Sequence, residues 1–233
     1  MTSLEQIKVI AFDADDTLWE NEPIFKSAIE EFCQLMVPYG NPEQCAQEVY
    51  EVQMHNLSLY GYGIKPFTLS LIETAIRISE QNVSNEVISK IIEIGQRMLA
   101  TDNPLLPGVQ ETLQALSGKY RLVMATKGDL LDQERKLIRS GLEDHFHHIE
   151  IMSQKLPHNY QKLVTHLDLS PESFLMVGNS VKSDIIPVLE IGGHAVHIPF
   201  HTTWAHEHAE LPADHDQFKS LTDIRQLLPL LGV

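Results

Sequence analysis

Five short runs of β-branched and other apolar residues punctuate the chain: 8–14 (KVIAFDA), 121–125 (RLVMA), 148–152 (HIEIM), 174–177 (FLMV) and 195–198 (AVHI). Most are continuously apolar rather than alternating, the pattern of parallel strands covered on both faces. Helical patterns separate them. One covers 108–116 after Pro107; a second covers 129–140, with Asp129 as N-cap candidate and Gly141 closing it; a third covers 160–167. Ser170-Pro171 then opens a short turn before the fourth run. Strand and helix in regular alternation predict right-handed crossovers and a doubly wound, mostly parallel α/β sheet of five strands.

Residues 21–103 break this alternation and offer no strand. Ile24, Phe25, Ala28, Ile29, Phe32 and Met36 recur at helical spacing until Pro38 and Gly40 stop the run. Asn41-Pro42 begins a second helix, Pro66-Phe67 precedes a third, and Ser84 caps a fourth that reaches about Ala100. The pattern predicts a helical domain, 21–103, inserted directly after the first strand of a core formed by 1–20 and 104–233. The connections fall near 19–22 and near 101–107, the latter rich in turn residues.

Composition narrows the possible partners. The chain has 233 residues, with 17 basic against 32 acidic side chains and a formal charge of −15. That balance argues against nucleic acid, whose phosphates require clustered Lys and Arg. The longest apolar runs, 7–12 and 227–231, fall far short of the ~20 residues that span a bilayer, so no membrane association is expected. The first residues lack the basic start and apolar stretch of a secretory signal. Cys33 and Cys45 fit neither a metal knuckle nor a disulfide framework, and free thiols in a reducing cytoplasm are the expectation. A phosphate ester would be repelled by the global charge, so any attraction must be local.

The chemistry gathers at strand ends. The first run closes in Asp13-Ala14-Asp15-Asp16-Thr17, three carboxylates crowded at the mouth of an apolar strand. Such crowding raises proton affinity and favours a shared proton or a bound cation. A polar strand end or helix N-cap is the plainer reading, but ligands in open α/β sheets collect at the carboxyl ends of strands. Thr126-Lys127-Gly128 follows the second run, Ser153-Gln154-Lys155 the third, and Gly178-Asn179-Ser180-Val181-Lys182-Ser183-Asp184 the fourth. Singly each is weak; in this order they bring a hydroxyl, ammonium groups and a further carboxylate to one edge of the sheet.

These motifs resemble those of the haloacid dehalogenase superfamily, on its phosphatase side. Asp13, Asp15 and Thr17 match its first motif, Asp-x-Asp-x-Thr; Thr126 matches the second; Lys155 fits the conserved lysine, although Leu156 stands before Pro157. Gly178, Ser180 and Asp184 meet the fourth motif, with Asn179 where such phosphatases most often carry a magnesium-binding Asp. The resemblance implies a Rossmann-like core and a C1-type helical cap over 21–103. It implies Asp13 as nucleophile, Asp15 as general acid and base, and Thr126, Lys127 and Lys155 on the phosphate. Mg²⁺ would then be held by Asp13, Asp15, Asn179 and Asp184. An amide ligates Mg²⁺ without negative charge, so Asn179 or Asp184 is the fourth-motif ligand.

The expected function is Mg²⁺-dependent hydrolysis of a small phosphorylated metabolite through an aspartyl-phosphate. Two rivals share these residues: a phosphomutase or phosphotransferase using the same aspartates, and a binding protein of the same fold without turnover, motivated by Asn179. The second Asp of the first motif argues against the dehalogenase branch, which the resemblance describes as lacking that acid. Six of the twelve histidines fall in 194–215. His206-Glu207-His208 could attract a transition metal, but residues two apart on a helix do not share a face, and a solvated or pH-sensitive surface segment is the expectation.

Overall fold

The computed structural model describes residues 4–212 and 214–233; residues 1–3 of the expected core segment 1–20, and residue 213 within the His-rich stretch, lie outside them. The strands are β1 (Val9–Phe12), β2 (Arg121–Lys127), β3 (His148–Met152), β4 (Phe174–Gly178), β5 (His194–His197) and β6 (Phe218–Ser220). They form one sheet in the order β3-β2-β1-β4-β5-β6, with every neighbouring pair parallel. Among the described residues the expected five strands are therefore six. β6 escapes the sequence pattern because it is three residues long and buries only Phe218.

The helices are α1 (Glu22–Met36), α2 (Pro42–Tyr60), α3 (Ile64–Ile78), α4 (Asn85–Ala100), α5 (Val109–Leu116), α6 (Leu130–Ser140), α7 (Pro157–His166), α8 (Ile186–Glu190) and α9 (Leu227–Leu230). The third begins before Pro66 rather than after it. Pro66 sits in the first turn of α3, where a missing N–H leaves no helical bond unmade. Ser84 caps α4, its hydroxyl accepting from the Val87 N–H. Among the described residues no helix is long and apolar enough to cross a membrane.

The chain divides into two compact units. The first takes the chain up to Glu22, then Asn103–Lys127 and Lys136–Val233; the second takes Pro23–Asp102 and Gly128–Arg135. The first eight residues of the loop and helix after β2 thus group with the helical unit, where Asp129 receives Lys65 Nζ at 2.8 Å.

In the first unit the sheet is covered on both faces, and the strands show it residue by residue. Ile10, Phe12, Leu122, Met124, Leu175 and Val177 pack on one side with Val109, Leu113 and Leu227. Their alternates Val9, Ala11, Val123, Ala125, Phe174 and Met176 pack on the other with Tyr160, Leu163 and Val188. Period-two alternation with both faces apolar explains the continuous apolar runs. The helical unit has its own core, in which Phe32, Met36, Leu71, Ile91 and Ile94 are almost completely buried.

Candidate active site

β1 occupies the middle of the sheet between β2 and β4, with Phe12 in register with Met124 and with Val177. The ladder continues one step beyond β1, where the Asp13 N–H donates to the Val177 carbonyl at 2.9 Å. The chain then turns sharply: Ala14 O accepts from the Leu18 N–H, Asp16 adopts a φ of 61°, and the Asp16 N–H donates to Trp19 O. Asp16 uses its carboxylate to accept from the Asn21 and Glu22 N–H groups at the start of α1. The third carboxylate of the cluster therefore satisfies free N–H groups at the start of α1 from the preceding turn. Burial, the largest influence, pushes its carboxyl up to about 7 despite those bonds.

Asp13 and Asp184 converge on one ammonium. Lys155 Nζ lies 2.5 Å from Asp13 Oδ1 and 2.6 Å from Asp184 Oδ1, and all three residues are buried. Burial and then the Asp184 charge raise the Asp13 carboxyl to about 7, against the opposing pull of Lys155. Burial disfavours the charged ammonium, but the two carboxylates outweigh it and hold Lys155 well above its ordinary range. Whenever both acids are ionised, one buried cation leaves net negative charge in a low dielectric, a condition that a further cation relieves.

The turn after β4 is fastened from several directions. The Ser180 N–H donates to Asp184 Oδ2 at 2.9 Å, and a Cβ added to Gly178 would fall 2.2 Å from that oxygen. Only glycine lets the carboxylate pass there. The Asn179 N–H donates to Thr17 Oγ1 at 3.1 Å, and Thr17 Oγ1 donates back to Asn179 Oδ1 at 3.3 Å, joining the first motif to the fourth. His197, at the end of β5, donates from Nε2 to the Asn179 carbonyl. Burial lowers the pKa of that imidazole.

Asp15 bonds to a different lysine. Its Oδ1 accepts from Trp19 Nε1 at 2.8 Å and from Lys136 Nζ at 3.0 Å, and Lys136 also donates to Asn21 Oδ1. Trp19 is fully buried, and its indole serves this contact. Thr126 is buried near the end of β2, its hydroxyl donating to Lys127 O. Lys127 Nζ donates to Ser183 Oγ at 2.9 Å and to Glu207 Oε1 at 2.6 Å. Glu207 comes from the long connection between β5 and β6 and also accepts from the Ser180 and Ser183 hydroxyls. Burial would raise its carboxyl, but Lys127 and the two hydroxyls hold it down at about 2.

The structure thus joins Asp13, Lys155 and Asp184 directly, links Asn179 to them through the first-motif turn, and sets Asp15 on Lys136. Lys127 reaches Ser183 and Glu207. Among the described residues no group of three or more His, Cys, Asp or Glu side chains is placed to hold a metal ion, the His-rich stretch included. Lys136 and Glu207 were missed in the sequence. Lys136 stands ten residues beyond Thr126 of the second motif, and Glu207 sits between two histidines that draw attention to metal chemistry instead.

A model of the haloacid dehalogenase-like hydrolases matches residues 7–192. A glyceraldehyde 3-phosphate phosphatase from Pyrococcus furiosus is 25% identical over 98% of this chain and 94% of its own length. One from Methanothermobacter thermautotrophicus is 26% identical over 97% of this chain and 100% of its own. The crystal structure of a haloacid dehalogenase-like family hydrolase from Xanthomonas campestris superposes with a TM-score of 0.87 and 35% identity, covering 97% of this chain and 92% of that one. The chain belongs to the haloacid dehalogenase-like hydrolase family. Within it the protein is a phosphatase, an enzyme that hydrolyses a phosphomonoester.

Proposed function

We propose that the protein hydrolyses a small phosphorylated metabolite in a Mg²⁺-dependent reaction, with Asp13 as nucleophile and Asp15 as general acid and base. The observation that carries this reading is the convergence of Asp13 and Asp184 on Lys155 Nζ at 2.5 and 2.6 Å, at the carboxyl edge of a parallel sheet. A cytoplasmic setting is part of the proposal, supported by two buried free thiols, Cys33 and Cys45.

An ionised Asp13 oxygen attacks phosphorus while the bond from phosphorus to the ester oxygen breaks, leaving an aspartyl-phosphate. Asp15 gives its proton to the departing alkoxide, then takes one from the water that cleaves the acyl-phosphate. Lys155 keeps Asp13 oriented and, with Thr126 and Lys127, offsets charge on the transferring oxygens. The donor set suits Mg²⁺: Asp13 and Asp184 carboxylates, the Asp15 carbonyl and the Asn179 amide are hard oxygen donors, and a cation would relieve the repulsion by which Asp184 raises the Asp13 carboxyl. When bound, the ion would supply charge neutralisation between nucleophile and incoming phosphate.

The test is phosphate release from a panel of phosphorylated metabolites, with Mg²⁺ and with a chelator. Glyceraldehyde 3-phosphate, the substrate in the names of the Pyrococcus furiosus and Methanothermobacter thermautotrophicus relatives, heads the panel. The expected result is metal-dependent release of inorganic phosphate from at least one small ester. An isomerised ester without free phosphate would favour a mutase, and turnover undiminished by chelation would refute the metal requirement.

A further inference from the structure

We propose that Glu207 is a positioning residue for phosphoryl transfer, holding the two loops that flank the nucleophile strand in a fixed relation without itself touching substrate. The inference rests on the phosphatase mechanism proposed above. β2 and β4 lie on either side of β1, and the Glu207 carboxylate ties the end of one to the turn after the other. Lys127, the last residue of β2, donates to Oε1. Ser180 and Ser183, in the turn between Gly178 and Asp184, both donate to Oε2 at 2.5 Å.

The hydrogen bonds form a closed and consistent set. Ser183 Oγ accepts from Lys127 Nζ, so its single proton is available to Glu207. Ser180 Oγ accepts from the Ser183 N–H, so its proton too goes to Glu207. Tyr160 completes the hold on this turn from the other side, donating its buried hydroxyl to the Ser183 carbonyl at 3.0 Å. An ionised carboxylate with only 12% of its side chain exposed accepts all three donors. An amide of the same shape cannot, because its NH₂ would face a donor. Asp184 follows Ser183 directly and is the Lys155 partner that stands opposite Asp13, so the clamp fixes one wall of the acidic pocket. Displacements of about 1 Å at a reacting centre cost roughly 10²-fold in rate.

The experiment compares wild type with Glu207→Gln and Ser183→Ala in steady-state hydrolysis of p-nitrophenyl phosphate with saturating Mg²⁺, alongside thermal melts. Turnover by wild type in this assay tests the underlying phosphatase reading on its own; no turnover would sink that reading and the present one with it. With wild type active, Glu207→Gln is expected to lower kcat by about 10²-fold while KM changes less than threefold, and Glu207→Asp to recover part of the loss because it keeps the charge. A kcat within twofold of wild type, or a change confined to KM, would overturn the assignment. If Glu207→Gln does not fold, Ser183→Ala decides: it removes one donor from the same carboxylate and should lower kcat in the same direction, and an unchanged kcat would again overturn the proposal.

Discussion

The Lys136 ammonium lies 3.0 Å from Oδ1 of Asp15, two residues beyond the proposed nucleophile. Lys136 is buried and also donates to Asn21 Oδ1, so its bond to Asp15 helps to hold that carboxyl in place. Replacing it with Met keeps the aliphatic stem and removes the donor. Lys136→Met is expected to lower kcat by about 10- to 10²-fold, less than the roughly 10²–10⁴-fold that a general acid contributes in full, because the acid is displaced rather than removed. Stopped-time assays of phosphate release check this, and a wild-type kcat would show that Asp15 needs no such anchor.

Gly178→Ala is expected to cost about 1–3 kcal/mol of stability by overpacking, since its Cβ would meet Asp184 Oδ2 at 2.2 Å. Because that carboxylate also accepts from the Ser180 N–H and carries a bond to Lys155, relief by side-chain movement breaks the site. Denaturant unfolding measures the loss, and phosphatase assays should show activity falling with it.

Burial, with Asp184 beside it, pushes the Asp13 carboxyl from 3.8 up to about 7. The folded chain therefore holds this proton more tightly than the unfolded chain does. The resulting stabilisation is complete below about pH 4 and is lost as pH rises through about 7. In chelator-treated buffer, the melting temperature of wild type relative to Asp13→Asn should decline across that window, because the amide does not titrate. A difference independent of pH would contradict the assigned environment of Asp13.

Asn179 Oδ1 accepts from Thr17 Oγ1, an arrangement that a carboxylate can keep. Asn179→Asp adds one negative charge to the proposed oxygen donor set, and ligand charge tunes divalent-cation affinity. The Mg²⁺ concentration for half-maximal activity is expected to fall by roughly tenfold. Titration of activity against Mg²⁺ checks the direction; a rise would mean that Asn179 lies outside the metal site.

The central strands were legible because both of their faces are apolar: Val9 to Phe12 are all buried, so the run reads as a strand without alternation. β6 was not, since Lys219 and Ser220 are exposed and only Phe218 packs inward. Asp13, Lys155 and Asp184 follow three different strands yet meet at one edge, because parallel topology carries every such end to the same side. Residues that join the site from connections with no regular motif stayed hidden. Glu207 reaches Lys127 from 80 residues away along a stretch whose composition suggests only solvent exposure. Asp16, read as part of an acidic cluster, accepts from the N–H groups at the start of α1, from a turn in which its φ is 61°.

Rapid chemical quench of wild type during turnover, followed by mass spectrometry of the peptide containing residue 13, tests the covalent step itself. The account predicts a phosphoryl group on the Asp13 side chain that accumulates before phosphate is released and is absent from Asp13→Asn. Steady release of phosphate by an Asp13→Asn enzyme, or a phosphoryl group trapped on another residue, would contradict it.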